Sequence, residues 1–112
     1  MTSAVTTHVL DAARGAPATD ITVHLEAADG DKWVSMAEAA TDSDGRVREL
    51  GPQQVDPGTY RLTFETGEYF RRNEVDTFYP QVQITFAIRD AAQHYHVPLL
   101  LSPFAYSTYR GS

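Results

Sequence analysis

The sequence contains no cysteine and a single lysine, Lys32, and these shortages narrow what the chain can be. Without cysteine there is no disulfide bond, no thiolate nucleophile and no Cys-ligated metal. A formal net charge of -6 argues against a nucleic-acid binder, which needs clustered positive charge. No run approaches the roughly 20 apolar residues of a membrane span, and residues 1–10 lack the features of a secretory signal. We therefore expect neither a nucleic-acid nor a membrane partner, and the reducing cytoplasm would suit the chain.

The length and composition are those of one ordinary globular domain. At 112 residues the chain can bury about two thirds of its unfolded surface, which is enough to fold without disulfides or metals. Hydrophobic residues make up 42% of the chain and charged residues 21%. We expect a single domain over residues 1–112.

Apolar and polar residues alternate along much of the chain, which predicts strands with one buried face. The clearest alternation lies in 21–26, 60–65 and 81–88, and further strands are predicted near 7–12, 33–41, 46–49 and 95–102. Turn-forming clusters such as Asp42-Ser43-Asp44-Gly45 separate these segments. Residues 66–73 break the pattern and predict a short helix with Thr66 as its N-cap. The leading architecture is an all-β sandwich with one small helix.

Three segments concentrate chemically useful side chains. Thr7-His8-Val9-Leu10-Asp11 opens the chain with a histidine in an apolar context, and His94-Tyr95-His96 leads into an apolar strand. His94 and His96 are two residues apart, so a strand projects both from the same face. The apolar residues at 97, 99 and 101 then point into the sandwich, which predicts that His96 lies on the outer surface of its sheet. The chain ends in Tyr-Ser-Thr-Tyr-Arg-Gly-Ser over 106–112, an unusually aromatic and polar composition for a segment free to fray.

These segments resemble the signature of the 5-hydroxyisourate hydrolases in the transthyretin-like family, and the resemblance covers essentially the whole chain. It implies a β-sandwich of two four-stranded sheets with one short helix. It also implies a metal-independent and cofactor-free hydrolase in urate degradation. One departure is Ala105, where the family carries glycine; if that position needs a positive φ, alanine costs about 1 kcal/mol.

The resemblance also implies roles for particular residues. His8, Arg46, His96 and Ser112 are the expected catalytic residues, and Tyr109 and Arg110 are expected to bind substrate with His8, Arg46 and Ser112. His94 is expected to support the site, and Arg48 competes with Arg46 as the nearby arginine. On chemistry alone, His8, His94 and His96 could also hold zinc with an open position for water, although a neighbouring guanidinium would disfavour a dication.

The implied reaction is hydrolysis of the N1–C6 amide bond of 5-hydroxyisourate, which yields 2-oxo-4-hydroxy-4-carboxy-5-ureidoimidazoline. Either histidine could deprotonate the water, and activity should then decline as the pH falls through about 6.5. The family assembles as a homotetramer, a dimer of dimers with its sites at subunit interfaces, and we expect the same here. Two rival functions are a transthyretin-type small-molecule carrier and a noncatalytic β-sandwich interaction module. Transthyretin has lysine at the position of His8, which favours the enzyme.

Overall fold

The computed structural model describes residues 2–112, which form two β-sheets packed face to face and one short helix. The elements in chain order are β1 (Val5–Asp11), β2 (Ala16–Pro17), β3 (Thr22–Asp29), β4 (Lys32–Ala40), β5 (Arg46–Val47), β6 (Gly58–Phe64), α1 (Thr66–Arg72), β7 (Val82–Ile88), β8 (Tyr95–Ser102) and β9 (Ala105–Thr108). Within residues 2–112, no helix is long and apolar enough to cross a membrane.

The predicted two-sheet sandwich is confirmed. The second sheet has four strands in the order β4-β3-β6-β7. The first has the order β2-β1-β8-β9, and β5 also pairs with β1. Because β2 pairs with the end of β1 and β5 with its middle, these two short segments share one edge of that strand. The first sheet therefore has five strand segments in four strand positions.

The apolar residues of the alternating strands meet between the sheets. Val23, Leu25, Leu62 and Phe64 of the second sheet are fully buried, as is Val9 of the first. Their polar neighbours along each strand face outward, as the period of two requires. In β8 the same alternation directs its odd-numbered residues into the core and His96 to the outer surface, as predicted.

The helix was predicted correctly, but its N-cap was not. Glu65 occupies the N-cap position and makes no side-chain capping bond, whereas Thr66 is the first helical residue. The Thr66 hydroxyl instead donates to the Tyr79 carbonyl at 3.4 Å, because the loop before β7 packs against the start of the helix. The predicted strand near 46–49 is also shorter than expected, ending at Val47.

A buried carboxylate ties the helix to the first sheet. Asp11, at the end of β1, accepts hydrogen bonds from the Tyr69 hydroxyl at 2.7 Å and from the backbone N–H groups of Ala13 and Arg14 at 3.1 Å each. Burial, followed by the bond to Asp11, raises the pKa of Tyr69. The hydroxyl therefore stays protonated and keeps donating to the carboxylate.

The C-terminal segment is an ordered part of the first sheet. A tight turn follows Ser102, and β9 then pairs antiparallel with β8. Ala105 lies in this strand, and the only non-glycine residues with positive φ among those described are Asp20 and Glu74. The conformational cost considered for alanine at position 105 is therefore absent.

Candidate active site

Strand pairing in the first sheet places three distant parts of the chain side by side on its outer face. Strand β1 runs parallel to β8, with Thr6 opposite His96. It runs antiparallel to β5, with His8 directly opposite Arg46. Residues directly opposite each other in a sheet project from the same face. The sequence-predicted histidines and Arg46 are thereby brought together.

A threonine hydroxyl lies between His96 in β8 and His94, which lies just before that strand. The Thr6 hydroxyl lies 2.8 Å from His96 Nδ1 and 2.9 Å from His94 Nε2. Hydrogen bonds at these distances restrict rotation of both imidazole rings. The Thr6 hydroxyl thus lies between the two rings, and the supporting role of His94 stays a prediction.

His8 has one ring nitrogen already engaged. Its Nε2 lies 2.8 Å from the carbonyl oxygen of Asp44. A carbonyl oxygen can only accept, so His8 Nε2 must carry the hydrogen and donate it. In neutral His8 the free lone pair is therefore on Nδ1.

The turn before β5 positions Arg46. The Asp42 carboxylate accepts hydrogen bonds from the backbone N–H groups of Asp44 at 2.8 Å and Arg46 at 2.9 Å. These bonds lower the pKa of the Asp42 carboxyl group, and the bond from the Arg46 N–H has the largest effect. Gly45 has a φ of +78°, and a β-carbon there would collide with the Val9 carbonyl oxygen. Glycine is thus required where the turn meets β1.

The competing arginine has a different partner. Arg48 Nη1 lies 3.0 Å from the Asp42 carboxylate, in a salt bridge between largely solvent-accessible side chains. The Arg48 guanidinium is therefore paired with the Asp42 carboxylate, although Arg48 also lines the cavity described below.

The C-terminal segment returns to His96. The Gly111 N–H donates to the His96 carbonyl at 2.9 Å. A β-carbon added at Gly111 would lie 2.6 Å from His96 Cδ2, so the backbone passes directly over the imidazole. The same passage places Ser112 at the edge of the cavity described next.

Several of these side chains line a cavity of about 210 Å³ on the outer face of the first sheet, whereas His8 lies on the same face beside Arg46 but does not line the cavity. Its wall includes Arg46, His94, His96 and Ser112. Burial is the largest influence on His96 and lowers its pKa, and the nearby Arg46, His8 and His94 lower it further. A hydrogen bond to the backbone of Thr6 acts in the opposite direction. His96 is therefore held in its neutral form near neutral pH.

Tyr109 and Arg110 lie outside this cavity in the single chain. The Arg110 guanidinium carbon is 4.5 Å from the centre of the Tyr95 ring, and its Nη2 donates to Gln93 Oε1 at 3.1 Å. Tyr109 is 59% exposed and borders a separate apolar groove between β7 and β8. Their substrate-binding role stays a prediction.

Within residues 2–112, no group of three or more His, Asp or Glu side chains is arranged to hold a metal ion. His8 Nε2 is engaged by the Asp44 carbonyl, while His94 and His96 each use one ring nitrogen at Thr6. The three histidines are neighbours but do not converge on one point as the zinc alternative requires.

The sequence matches the HIUase/Transthyretin family over residues 5–111. The chain belongs to this family. It is 45% identical over 106 residues to a 5-hydroxyisourate hydrolase from Salmonella dublin, covering 94% of this chain and 78% of that protein.

Solved structures of this family have the same fold. A 5-hydroxyisourate hydrolase from Klebsiella pneumoniae superposes with a TM-score of 0.86 at 36% identity, covering 96% of this chain and 98% of that one. Sea bream transthyretin in complex with thyroxine superposes with a TM-score of 0.89 at 30% identity, covering 96% and 93%. The fold is thus common to the enzymes and the carrier, and side chains must distinguish them.

The sequence analysis did not predict the contacts that two residues, Thr6 and Gly111, make at this site. Thr6 shares the outward parity of His8, which is a usable signal, but its partners lie 88 and 90 residues away. Gly111 stood out in the sequence only as part of the C-terminal segment 106–112, whereas it lies against the His96 ring. Both contacts depend on pairing between the two ends of the chain.

Proposed function

We propose that this chain hydrolyses 5-hydroxyisourate to 2-oxo-4-hydroxy-4-carboxy-5-ureidoimidazoline in urate degradation, with residues 1–112 acting as one hydrolase domain. The observation that carries the proposal is the grouping of His8, Arg46 and His96 on one sheet face, beside a cavity bordered by Ser112. The hydrolases among its family members support the choice of substrate.

In the proposed reaction, His96 is the principal base. It takes a proton from water as the water oxygen attacks the C6 carbonyl carbon of the six-membered ring. The lowered pKa keeps His96 neutral and able to accept that proton. His8 is less suited as the base through Nε2, because that nitrogen donates to Asp44. We assign His8 to holding the water or substrate through its other ring nitrogen.

Arg46 would stabilise the negative charge that develops on the carbonyl oxygen after attack. Its guanidinium is permanently charged and presents a planar set of donors that matches carbonyl oxygens and ring nitrogens. The tetrahedral intermediate then breaks the C6–N1 bond, and N1 leaves with the proton that His96 had accepted. The products are a carboxylic acid at C6, which keeps the water oxygen and its second hydrogen until it ionises to solvent, and a ureido nitrogen at N1, so water is fully accounted for.

The tail would complete the site in an assembled protein. Ser112 can hydrogen-bond to the substrate directly, and Tyr109 and Arg110 are proposed to bind it once the site is enclosed. We propose a homotetramer, a dimer of dimers in which two first sheets face each other across the sites. The outward Leu100, which is 36% exposed, supports covering of this sheet face. Measurement of the molecular mass of the protein in solution tests this homotetramer.

The proposal needs no metal or other cofactor, because a neutral imidazole and a guanidinium supply the base and the charge stabilisation. A cytoplasmic location is also part of it, supported by a sequence without cysteine. Cell fractionation with an antibody to the chain tests that location.

A small-molecule carrier is the second candidate, favoured by the superposition on sea bream transthyretin. A carrier would bind a ligand on the same sheet face without turnover. His8, Arg46 and His96 favour the hydrolase, since binding an aromatic ligand does not require a neutral base beside a guanidinium.

The test is the ultraviolet-monitored decay of freshly generated 5-hydroxyisourate with and without the purified protein. We expect strong acceleration, and we expect His96→Ala to lower kcat by roughly 10²-fold or more, the usual scale of general acid–base catalysis. The matched control is His24→Ala, which removes a histidine from the outer face of the opposite sheet. Decay at the spontaneous rate with correctly assembled wild-type protein would reject the hydrolase.

A further inference from the structure

Thr6 lies at a point where it can control the hydrogen positions of both neighbouring histidines. Its hydroxyl is within hydrogen-bonding distance of His94 Nε2 and His96 Nδ1, at 2.9 and 2.8 Å. The residue is only 5% exposed although it points out of the sheet. Thr6 itself is therefore largely covered, whereas the neighbouring His94 is exposed.

A hydroxyl group has one hydrogen to donate, and each neutral imidazole carries one hydrogen on one of its two nitrogens. When the Thr6 hydrogen is used between the histidines, one ring nitrogen accepts it and the other donates to the Thr6 oxygen. In the first arrangement, His94 Nε2 donates to Thr6 and Thr6 donates to His96 Nδ1. In the second, His96 Nδ1 donates to Thr6 and Thr6 donates to His94 Nε2.

The two arrangements have opposite consequences for His96. In the first, the hydrogen of neutral His96 is on Nε2, and that nitrogen cannot act as a base. In the second, Nε2 has the free lone pair, and Nδ1 is occupied by Thr6. Only the second arrangement suits the base that hydrolysis needs.

We propose that Thr6, together with His94, holds neutral His96 in the tautomer with hydrogen on Nδ1, which makes Thr6 a positioning residue for the base. This inference rests on the proposed function for its catalytic meaning. As Nε2 gains a proton from water, the Nδ1–H of His96 keeps donating to Thr6. The chain of bonds to His94 then stabilises the new positive charge without moving a second proton.

The packing around His96 restricts movement of its imidazole ring. Gly111 passes over the Cδ2 side of the ring, so the ring has little room to move towards the C-terminal segment. The charged or titratable groups facing His96 are Arg46 of β5, His8 of β1 and His94 before β8. Each disfavours protonation of His96, so the neutral tautomer is the form to be selected.

The experiment combines histidine tautomer assignment by ¹⁵N NMR without substrate and steady-state kinetics across pH. Thr6→Val removes the hydroxyl with little change in shape, and Thr6→Ser keeps it. The matched control is Thr63→Val, because Thr63 is also 5% exposed, lies in the second sheet opposite His24 and donates to Glu26 Oε1 at 3.0 Å instead of to a histidine. It reports what loss of a largely covered threonine hydroxyl does to stability alone.

In the wild-type protein we expect neutral His96 to carry its hydrogen on Nδ1. Thr6→Val should reduce that tautomer and lower kcat about tenfold, the population change that one typical net hydrogen bond supports, with KM nearly unchanged. Thr6→Ser should restore both readouts, and Thr63→Val should alter neither.

Hydrogen on Nε2 in wild-type His96 would overturn the proposal, as would an unchanged tautomer and kcat in Thr6→Val. If Thr6→Val does not fold, the wild-type spectrum and Thr6→Ser still decide, since loss of the Nδ1–H tautomer in Thr6→Ser would also contradict it. Wild-type protein that leaves 5-hydroxyisourate decay at the spontaneous rate rejects the proposed function instead. The tautomer assignment is independent of that result because it uses no substrate.

Discussion

Substituting Gly111 with alanine tests whether the C-terminal segment positions His96. The new β-carbon would lie 2.6 Å from His96 Cδ2, 3.3 Å from His96 Cγ and 3.2 Å from Pro98 Cγ. Carbon atoms at optimal contact are about 3.5–4.0 Å apart, so relief of the shortest contact needs a movement of about 1 Å. The ring and the tail are the two elements that can move.

Either movement should damage catalysis. The His96 ring is held by Thr6 on one side, and its displacement would misplace the base relative to the bound substrate. A misplacement of 1 Å can cost about 10²-fold in rate, so we expect kcat to fall between about 10- and 100-fold. The fold should survive, because overpacking costs typically about 1–3 kcal/mol and Gly111 lies outside the sandwich core.

The assay compares 5-hydroxyisourate decay, melting temperature and the His96 NMR signals of Gly111→Ala with those of Gly58→Ala. Gly58 is the right control because a β-carbon there would meet Tyr60 Cε1 at 3.7 Å, an ordinary contact. Wild-type kcat with unchanged His96 signals in Gly111→Ala would refute the reasoning. Equal losses in both variants would assign the effect to general destabilisation.

Four further predictions use different measurements. Because the pKa of His96 is lowered, this histidine stays neutral to a lower pH than an ordinary histidine does. The value of kcat/KM should therefore stay constant as the pH falls to about 6.5 and decline only below that pH, and a decline centred above 6.5 would contradict this. Exhaustive chelation should leave the rate unchanged, whereas inactivation reversed by Zn²⁺ would support a metal at His8, His94 and His96. Deletion of residues 109–112 should severely lower turnover and change the melting temperature little, with mass measured alongside; near-normal turnover would mean that the tail has no role in the site. Tyr69→Phe removes a donor to buried Asp11 and should lower the free energy of unfolding by about 1–3 kcal/mol in urea titration, and an unchanged value would exclude an energetic role for that bond.

The pattern of the sequence was sufficient to predict the sandwich, because alternation along a strand is a local property. The run from Tyr95 to Ser102 shows this most clearly: its alternation predicted both the strand and the outward direction of His96, and its bounds are those of β8. Strand β9 escaped prediction because all four of its residues are exposed, which leaves no contrast between two faces. The helix was visible as a break in alternation, but its N-cap depended on a loop 13 residues away.

Some features of the candidate site could likewise be predicted from the sequence, whereas others depend on the folded structure. Resemblance to a family supplied the residue types and their positions, including His8, Arg46, His96 and Ser112. The chain's own sequence could not indicate which nitrogen of His8 is engaged, since that follows from the approach of the Asp44 carbonyl. It also could not indicate that the pKa of His96 is lowered, because this shift arises from burial and from nearby Arg46, His8 and His94; the proposal of His96 as the base depends on that shift.

What the sequence determined by itself was local: the period of two, the turn residues and the identity of the reactive side chains. What the tertiary structure decided was which of these meet. Parallel pairing of β1 with β8 sets Thr6 beside His96, and antiparallel pairing with β5 sets His8 beside Arg46. The return of the last residues sets Gly111 against the His96 ring. Such contacts depend on sheet register between distant strands, and register is fixed by burial of the whole core rather than by any one segment.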